Sequence, residues 1–149
     1  MGKPARILVV DDDEDIRNTM QSILTDEGYI VDLASTGEEA IRKTDECSYN
    51  VALIDIRLPD IEGVELLTRL NDTVPKIRKV IVTGYPTVQN AIMALNKKAD
   101  AYLTKPVDIE KLLITIKEQL MLQEDEKRFS EQKIAEFIQT RVKELSAAR

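Results

Sequence analysis

Five short apolar runs punctuate the chain: Ala5 to Val10, Ile30 to Ala34, Val51 to Ile54, Val80 to Val82 and Ala101 to Leu103. Each is aliphatic and largely β-branched, as strands of a parallel sheet covered on both faces are. Between them the spacing turns helical. Ile16, Met20, Ile23 and Leu24 fall at i, i+4, i+7 and i+8, one face of a helix that Gly28 is suited to end as its C′ residue. A second helix opens at Ser35-Thr36-Gly37-Glu38-Glu39, where Ser35 with Glu38, or Thr36 with Glu39, makes a capping box. Val64, Leu67 and Leu70 form a third apolar stripe, and Val88, Ile92 and Leu95 a fourth with Pro86 as its opening residue. Ile109, Leu112, Leu113, Ile116 and Leu120 form a fifth. Strand and helix alternate five times, which predicts an α/β fold: a doubly wound parallel sheet with helices on both faces, joined by right-handed crossovers. The alternation leaves the strand order open. The flavodoxin-like order 2-1-3-4-5 is one of two common choices.

After Pro106 the chain contains neither glycine nor proline. The fifth helix is therefore expected either to run on past the domain or to break near Glu124-Asp125-Glu126 and restart. Residues 1–122 are read as one domain and 123–149 as a helical tail or linker. The apolar positions of the tail, Phe129, Ile134, Phe137, Ile138, Val142 and Leu145, are too irregular for a coiled-coil seam.

Composition narrows the function. The 149 residues carry a net charge of −6, and the tail from Met121 is balanced, so the excess acid sits in the first 120 residues. An acidic surface argues against binding nucleic-acid phosphates directly. One cysteine makes no internal disulfide and no thiolate metal cluster; Cys47 is expected to be a packing residue. The absence of histidine removes imidazole metal sites, Ser-His-Asp triads and histidine bases. No apolar run approaches the roughly 20 residues of a membrane span. The stretch from Met1 to Arg6 leads straight into a strand and then acids, unlike a signal peptide. The expectation is a soluble cytoplasmic protein.

Ligands of open α/β sheets bind at the carboxyl ends of the strands. Asp11 and Asp12 follow the first strand, Asp55 the third, Thr83 the fourth, and Lys105 stands just past the fifth. Taken singly, each has an ordinary explanation: a helix cap, a turn residue, a solvated loop. Together they bring three carboxylates, a hydroxyl and an ammonium to one edge. Clustered carboxylates raise one another's pKa unless a cation sits among them. Oxygen donors without nitrogen or sulfur select a hard cation, and Mg²⁺ accepts one or two carboxylates while keeping waters and a phosphate oxygen. A carboxylate beside such an ion is able to attack phosphorus and form an acyl phosphate.

Four segments carry a family resemblance: Ile-Leu-Val-Val-Asp-Asp-Asp (7–13), Leu-Ile-Asp-Ile-Arg-Leu-Pro-Asp (53–60), Val-Thr-Gly-Tyr-Pro (82–86) and Tyr-Leu-Thr-Lys-Pro-Val (102–107). In this order and at these strand ends, the chain resembles the CheY-like receiver domain of two-component response regulators over about residues 5 to 120. The resemblance implies the 2-1-3-4-5 order and a phosphoacceptor at Asp55. It implies Mg²⁺ held by Asp11, Asp12, Asp55 and the backbone carbonyl of Arg57, with Asp11 acting through water. Thr83 would be the switch hydroxyl, Lys105 the phosphoryl-binding cation and Tyr102 the aromatic that reports the switch. The Lys105–Pro106 bond would be cis. Asp13 and Glu14 would cap the first helix. The partner would be a sensor histidine kinase, and the remodelled surface would span the fourth helix, fifth strand and fifth helix. The chain would not be an enzyme beyond its own phosphorylation and dephosphorylation.

Two alternatives retain the acidic edge: a docking receiver that is never phosphorylated, and an aspartyl-nucleophile phosphatase. Haloacid-dehalogenase-like phosphatases place a second aspartate two residues after the nucleophile, where this chain has Arg57. Nucleotide or flavin binding lacks its glycine-rich loop. The output would be a downstream target or effector protein, with a homodimer through the fifth helix and tail as a further possibility. Residues 82–92 resemble receivers that precede sigma-54-type ATPase modules.

Overall fold

The computed structural model describes residues 2–70, 75–84, 86–96 and 99–147, together forming an alternating α/β chain. Its strands are β1 (Arg6–Val10), β2 (Ile30–Ala34), β3 (Val51–Ile54), β4 (Arg78–Thr83) and β5 (Ala101–Thr104). Its helices are α1 (Glu14–Asp26), α2 (Gly37–Glu46), α3 (Gly63–Arg69), α4 (Val88–Asn96) and α5 (Ile109–Ala147). The strands are all parallel, in the order β2-β1-β3-β4-β5.

Alternate residues of each strand feed two cores. Leu8, Val10, Ala52, Ile54 and Ile81 meet Ala40, Val64, Leu67 and Ala94 of α2, α3 and α4, with Leu70 just past α3, on one face. Ile7, Val9, Val51, Leu53, Val80 and Leu103 meet Met20 and Leu24 of α1 and Leu112 and Ile116 of α5 on the other. Burying each such side chain contributes about 1.5–3 kcal/mol before entropy is counted.

The caps follow local chemistry. Asp13 accepts from the N–H groups of Asp15 and Ile16 and starts α1. Gly28, at φ +94°, ends it in the left-handed conformation that glycine adopts without strain. Thr36 accepts from Glu39 N–H, so the Thr36–Glu39 pair opens α2. The Glu39 carboxylate reaches back to Ser35, one residue beyond Thr36, the reciprocal partner in a standard capping box. Asp60 completes this cap from 23 and 22 residues away, accepting from Gly37 and Glu38 N–H at 2.9 Å each.

Two expectations are corrected. Pro86 does not open α4: the helix starts at Val88, with the Thr87 carbonyl accepting its first bond from Ala91. The Val88 and Ile92 stripe does not face the core, since these residues are 77% and 53% exposed. The small Ala94 packs on the sheet instead, so the bulkier residues turn outward. The side chain of Leu95, and Tyr85 as a whole, lie outside the described residues. The fifth helix does not break at Glu124: α5 is one helix of 39 residues.

Candidate functional site

The strand order reverses at β1, with β2 on one side and β3 on the other, and ligands of such sheets bind at this switch point. Val10 and Ile54 are in register as the last residues of β1 and β3. The ladder runs one residue further, with Asp55 N–H donating to Val10 O at 2.9 Å and Asp11 N–H to Ala34 O at 3.0 Å. Asp11 and Asp55 therefore emerge side by side at the same level. Asp12 follows, exposed, and oxygens of all three carboxylates lie within 4.8 Å of one another.

Lys105 reaches this cluster from beyond β5. Its Nζ donates to Asp11 Oδ2 at 2.7 Å and to Asp55 Oδ2 at 2.9 Å. The other oxygens are also engaged: Asp55 Oδ1 accepts from Arg57 N–H at 3.2 Å, and Asp11 Oδ1 from Asp13 N–H at 2.9 Å. Arg17 fastens the Asp11 carbonyl to α1 at 2.7 Å. Burial pushes the Asp55 carboxyl above its ordinary range, and Lys105 only partly offsets this. For Lys105 burial favours the neutral amine, but bonding to Asp11 and Asp55 outweighs it and holds the ammonium above its usual range.

Thr83 ends β4, fully buried, and its carbonyl accepts from Lys105 N–H at 2.8 Å. The Lys105–Pro106 peptide is cis. Arg57 N–H touches Asp55, and Arg57 forms an isolated antiparallel bridge with Glu62 that closes the loop after β3. Tyr102, in β5, packs against the core shared with α4, its hydroxyl buried without a hydrogen-bond partner among the described residues.

Gly63 went unrecognised from sequence as part of the site. Its N–H donates to Ile56 O at 2.6 Å, and a Cβ there would stand 2.0 Å from the carbonyl oxygen of Asp55. Its signal is a glycine eight residues after the strand-end aspartate, which is too common a feature to select. Cys47 is the C-cap of α2, half-buried against the core, as expected of a packing residue. Tyr49 is a buried packing residue whose hydroxyl donates to Asp32 at 2.6 Å. Among the described residues, no helix is long and apolar enough to cross a membrane.

The arrangement fits a hard cation: its donors are all oxygen, the carboxylates converge, and a fixed ammonium offsets only part of their charge.

Relatives carry the same frame. A receiver domain protein (CheY-like) from Methanospirillum hungatei superposes with a TM-score of 0.79 at 46% identity, covering 83% of this chain and 98% of that one. The transcriptional regulatory protein ZraR of Klebsiella oxytoca is 39% identical over 119 residues, 80% of this chain and 27% of that protein. The transcriptional regulatory protein TrcR of Mycobacterium tuberculosis is 34% identical over 116 residues, 78% of this chain and 45% of that protein. The chain thus spans less than half the length of these two regulators. Residues 7–117 match the response regulator receiver domain, and the chain belongs to that family.

Proposed function

We propose that the chain accepts a phosphoryl group on Asp55 from the phosphohistidine of a sensor histidine kinase and uses the modification to switch a binding surface. The observation that carries this reading is a buried carboxylate at the switch point, held by one ammonium, with two further carboxylates within 4.8 Å.

Asp55 attacks phosphorus in line. The bond from phosphorus to the donor imidazole breaks, the imidazole leaves as the free base on taking up a proton, and an acyl phosphate forms on Asp55. Asp11, Asp12, Asp55 and the Arg57 carbonyl are the groups that would hold Mg²⁺, which when bound neutralises charge on the transferring oxygens. Lys105, already on Asp55, transfers its ammonium contact to the phosphoryl oxygens. Thr83 donates its hydroxyl to the same group. Its inward motion frees space that Tyr102 fills, and α4, β5 and the start of α5 are remodelled. Water then hydrolyses the acyl phosphate, so the chain acts on no substrate beyond itself.

The exposed Val88, Ile92 and Met93 of α4 support this surface as the docking face for a downstream target or effector protein. A homodimer through α5 and the tail is supported by the tail's exposed Ile134, Phe137, Ile138, Val142 and Leu145 and by its charge balance. The excess of acid in the domain gives no support for direct contact with nucleic acid. The last buried side chain of α5 is Gln123, which supports a domain boundary close to residue 122 and a helical linker after it. This is the reading of a cytoplasmic signalling module.

Intact mass after acetyl phosphate treatment, with and without Mg²⁺, tests the proposal on wild type and Asp55→Asn. One Mg²⁺-dependent phosphoryl adduct, lost in the variant, is expected. No adduct, together with no response to beryllofluoride, would leave a docking module that is not phosphorylated.

A further inference from the structure

The two halves of the packed part of α5 are held to the sheet by different chemistry. Leu112 and Ile116 sink into the apolar face. Further along the same side stand Gln119 and Gln123, only 5% and 4% exposed. Gln123 Nε2 donates to the carbonyls of Asn50 at 3.0 Å and Lys76 at 2.8 Å, and its Oε1 accepts from Asn50 Nδ2 at 2.9 Å. Gln119 Oε1 accepts from Arg78 Nε at 2.9 Å, and its Nε2 donates to the Asp100 carbonyl at 3.4 Å. Arg78 also pairs with Asp100 at 3.4 Å and with Glu126 at 3.5 Å. Asn50 ties strands together as well, accepting from Arg6 N–H at 2.9 Å and from Arg78 N–H at 2.9 Å.

Arg6 and Arg78 open β1 and β4, Asn50 and Asp100 immediately precede β3 and β5, and Lys76 lies two residues before β4, all at the amino-terminal edge of the sheet. Asp11, Asp55, Thr83 and Lys105 lie at the opposite edge. Residues 119, 123 and 126 are spaced i, i+4 and i+7, so they share one side of the helix and fix both its rotation and its tilt. A slip of one residue would turn the helix by about 100° and leave two buried amides without partners, which buried polar groups rarely tolerate. Past Gln123 the helix continues to Ala147, about 36 Å at the usual rise, with every described residue exposed.

We propose that this polar clamp makes the extension a rigid continuation of the sheet, aimed by the amino-terminal edge and not by the face that phosphorylation remodels. The clamp also decides which way the extension's apolar residues face. Ile134, Phe137, Ile138 and Leu145 fall within about 60° of Gln123 around the helix axis at about 100° per residue, while Val142 stands about 100° away. Only the second half of the proposal, constancy on phosphorylation, rests on the receiver reading. It separates two modes of output: the switch would act through association at the α4–β5–α5 surface and would not swing the helix as a lever.

Pulsed electron paramagnetic resonance tests this on the full chain, with Cys47→Ser removing the native thiol and spin labels at Ser22→Cys on α1 and Ser130→Cys on the extension. Dilution with unlabelled protein removes distances between copies. The parent is expected to give one narrow distance peak, which stays in place when beryllofluoride is added. Gln123→Ala, Asn50→Ala and the milder Arg78→Lys are expected to lose that narrow peak. A narrow peak in all three variants overturns the clamp, and a peak that moves with beryllofluoride overturns its independence from the switch. Adduct mass after acetyl phosphate, taken on the same samples, shows that a variant has kept its folded site. Absence of an adduct in the parent would instead count against the receiver reading, leaving the variants' distances to decide the clamp.

Discussion

Replacing Gly63 by alanine puts a methyl group where the amino terminus of α3 rests on the backbone that carries Asp55. The added Cβ would lie 2.0 Å from Asp55 O and 2.8 Å from both Asp55 C and Ile56 Cα. A carbon stands about 3.3–3.6 Å from a carbonyl oxygen even in close contacts, so α3 or the strand end must retreat by more than 1 Å. All three obstructing atoms are backbone, and no rotamer change relieves them. Overpacking of this kind costs about 1–3 kcal/mol, here at the upper end, and alanine's propensity gain, about 1 kcal/mol in a helix interior, is smaller at this first helical residue. The net loss is about 2 kcal/mol, or a fall of about 8 °C in the melting temperature of a domain this size. The displaced atoms belong to Asp55, the proposed phosphoacceptor, and a shift of about 1 Å at a reacting group costs on the order of a hundredfold in rate. Gly37→Ala is the control. Its Cβ would lie 2.1 Å from Cγ2 of Ile61, a side-chain methyl that is able to rotate away, so its loss is smaller. Thermal melts by circular dichroism and the rate of adduct formation from acetyl phosphate read both effects. Gly63→Ala melting within about 2 °C of wild type, with an undiminished adduct rate, would refute the reasoning. So would an equal fall in Gly37→Ala.

Three further outcomes follow from individual contacts. Tyr102→Phe removes a buried hydroxyl that has no partner among the described residues, so urea denaturation is expected to show an unchanged protein or one more stable by about 1 kcal/mol; a lowered midpoint contradicts this. The N–H groups of Glu38 and Gly37 hold the Asp60 carboxyl below its ordinary range, so its stabilisation is present above the unfolded value of about 3.9 and is lost as pH falls through the folded value. The gap in melting temperature between wild type and Asp60→Ala is therefore expected to be widest near neutral pH and to close in acid; a constant gap refutes the cap. Lys105→Ala removes the ammonium from Asp11 and Asp55 and is expected to keep Mg²⁺ binding while losing most of the response to beryllofluoride, read as amide chemical-shift changes on α4 and β5.

Most of the acidic edge was legible because strand-end residues inherit their position from the strand. Once Val10 and Ile54 end neighbouring parallel strands, Asp11 and Asp55 can only be adjacent. Asp13 was legible for the same local reason, since a cap bonds two and three residues ahead. What escaped was either long-range or a matter of which side turns inward. Asp60 caps a helix that begins 23 residues earlier, and Gln123 bonds to Asn50 across 73 residues, so no window of sequence holds either pair. The spacing of Val88 and Ile92 puts them on one side of α4 but does not say that Ala94 would be the side to pack. A continuous α5 was half legible: nothing after Pro106 breaks a helix, but the polar stretch after Gln123 resembles a break until Glu126 is seen bonded to Arg78.

The single lysine among the carboxylates also sets the site's electrical stoichiometry. Three carboxylates against one ammonium leave two negative charges in excess, the charge of one divalent cation. A monovalent ion would leave the edge still negative and a trivalent ion would overcompensate it, so this charge balance suits a divalent ion. An acyl phosphate carrying about two charges in place of one carboxylate tips the balance negative again. On the proposed reading the phosphorylated edge would attract hydrogen-bond donors, and Thr83 stands at the end of the neighbouring strand.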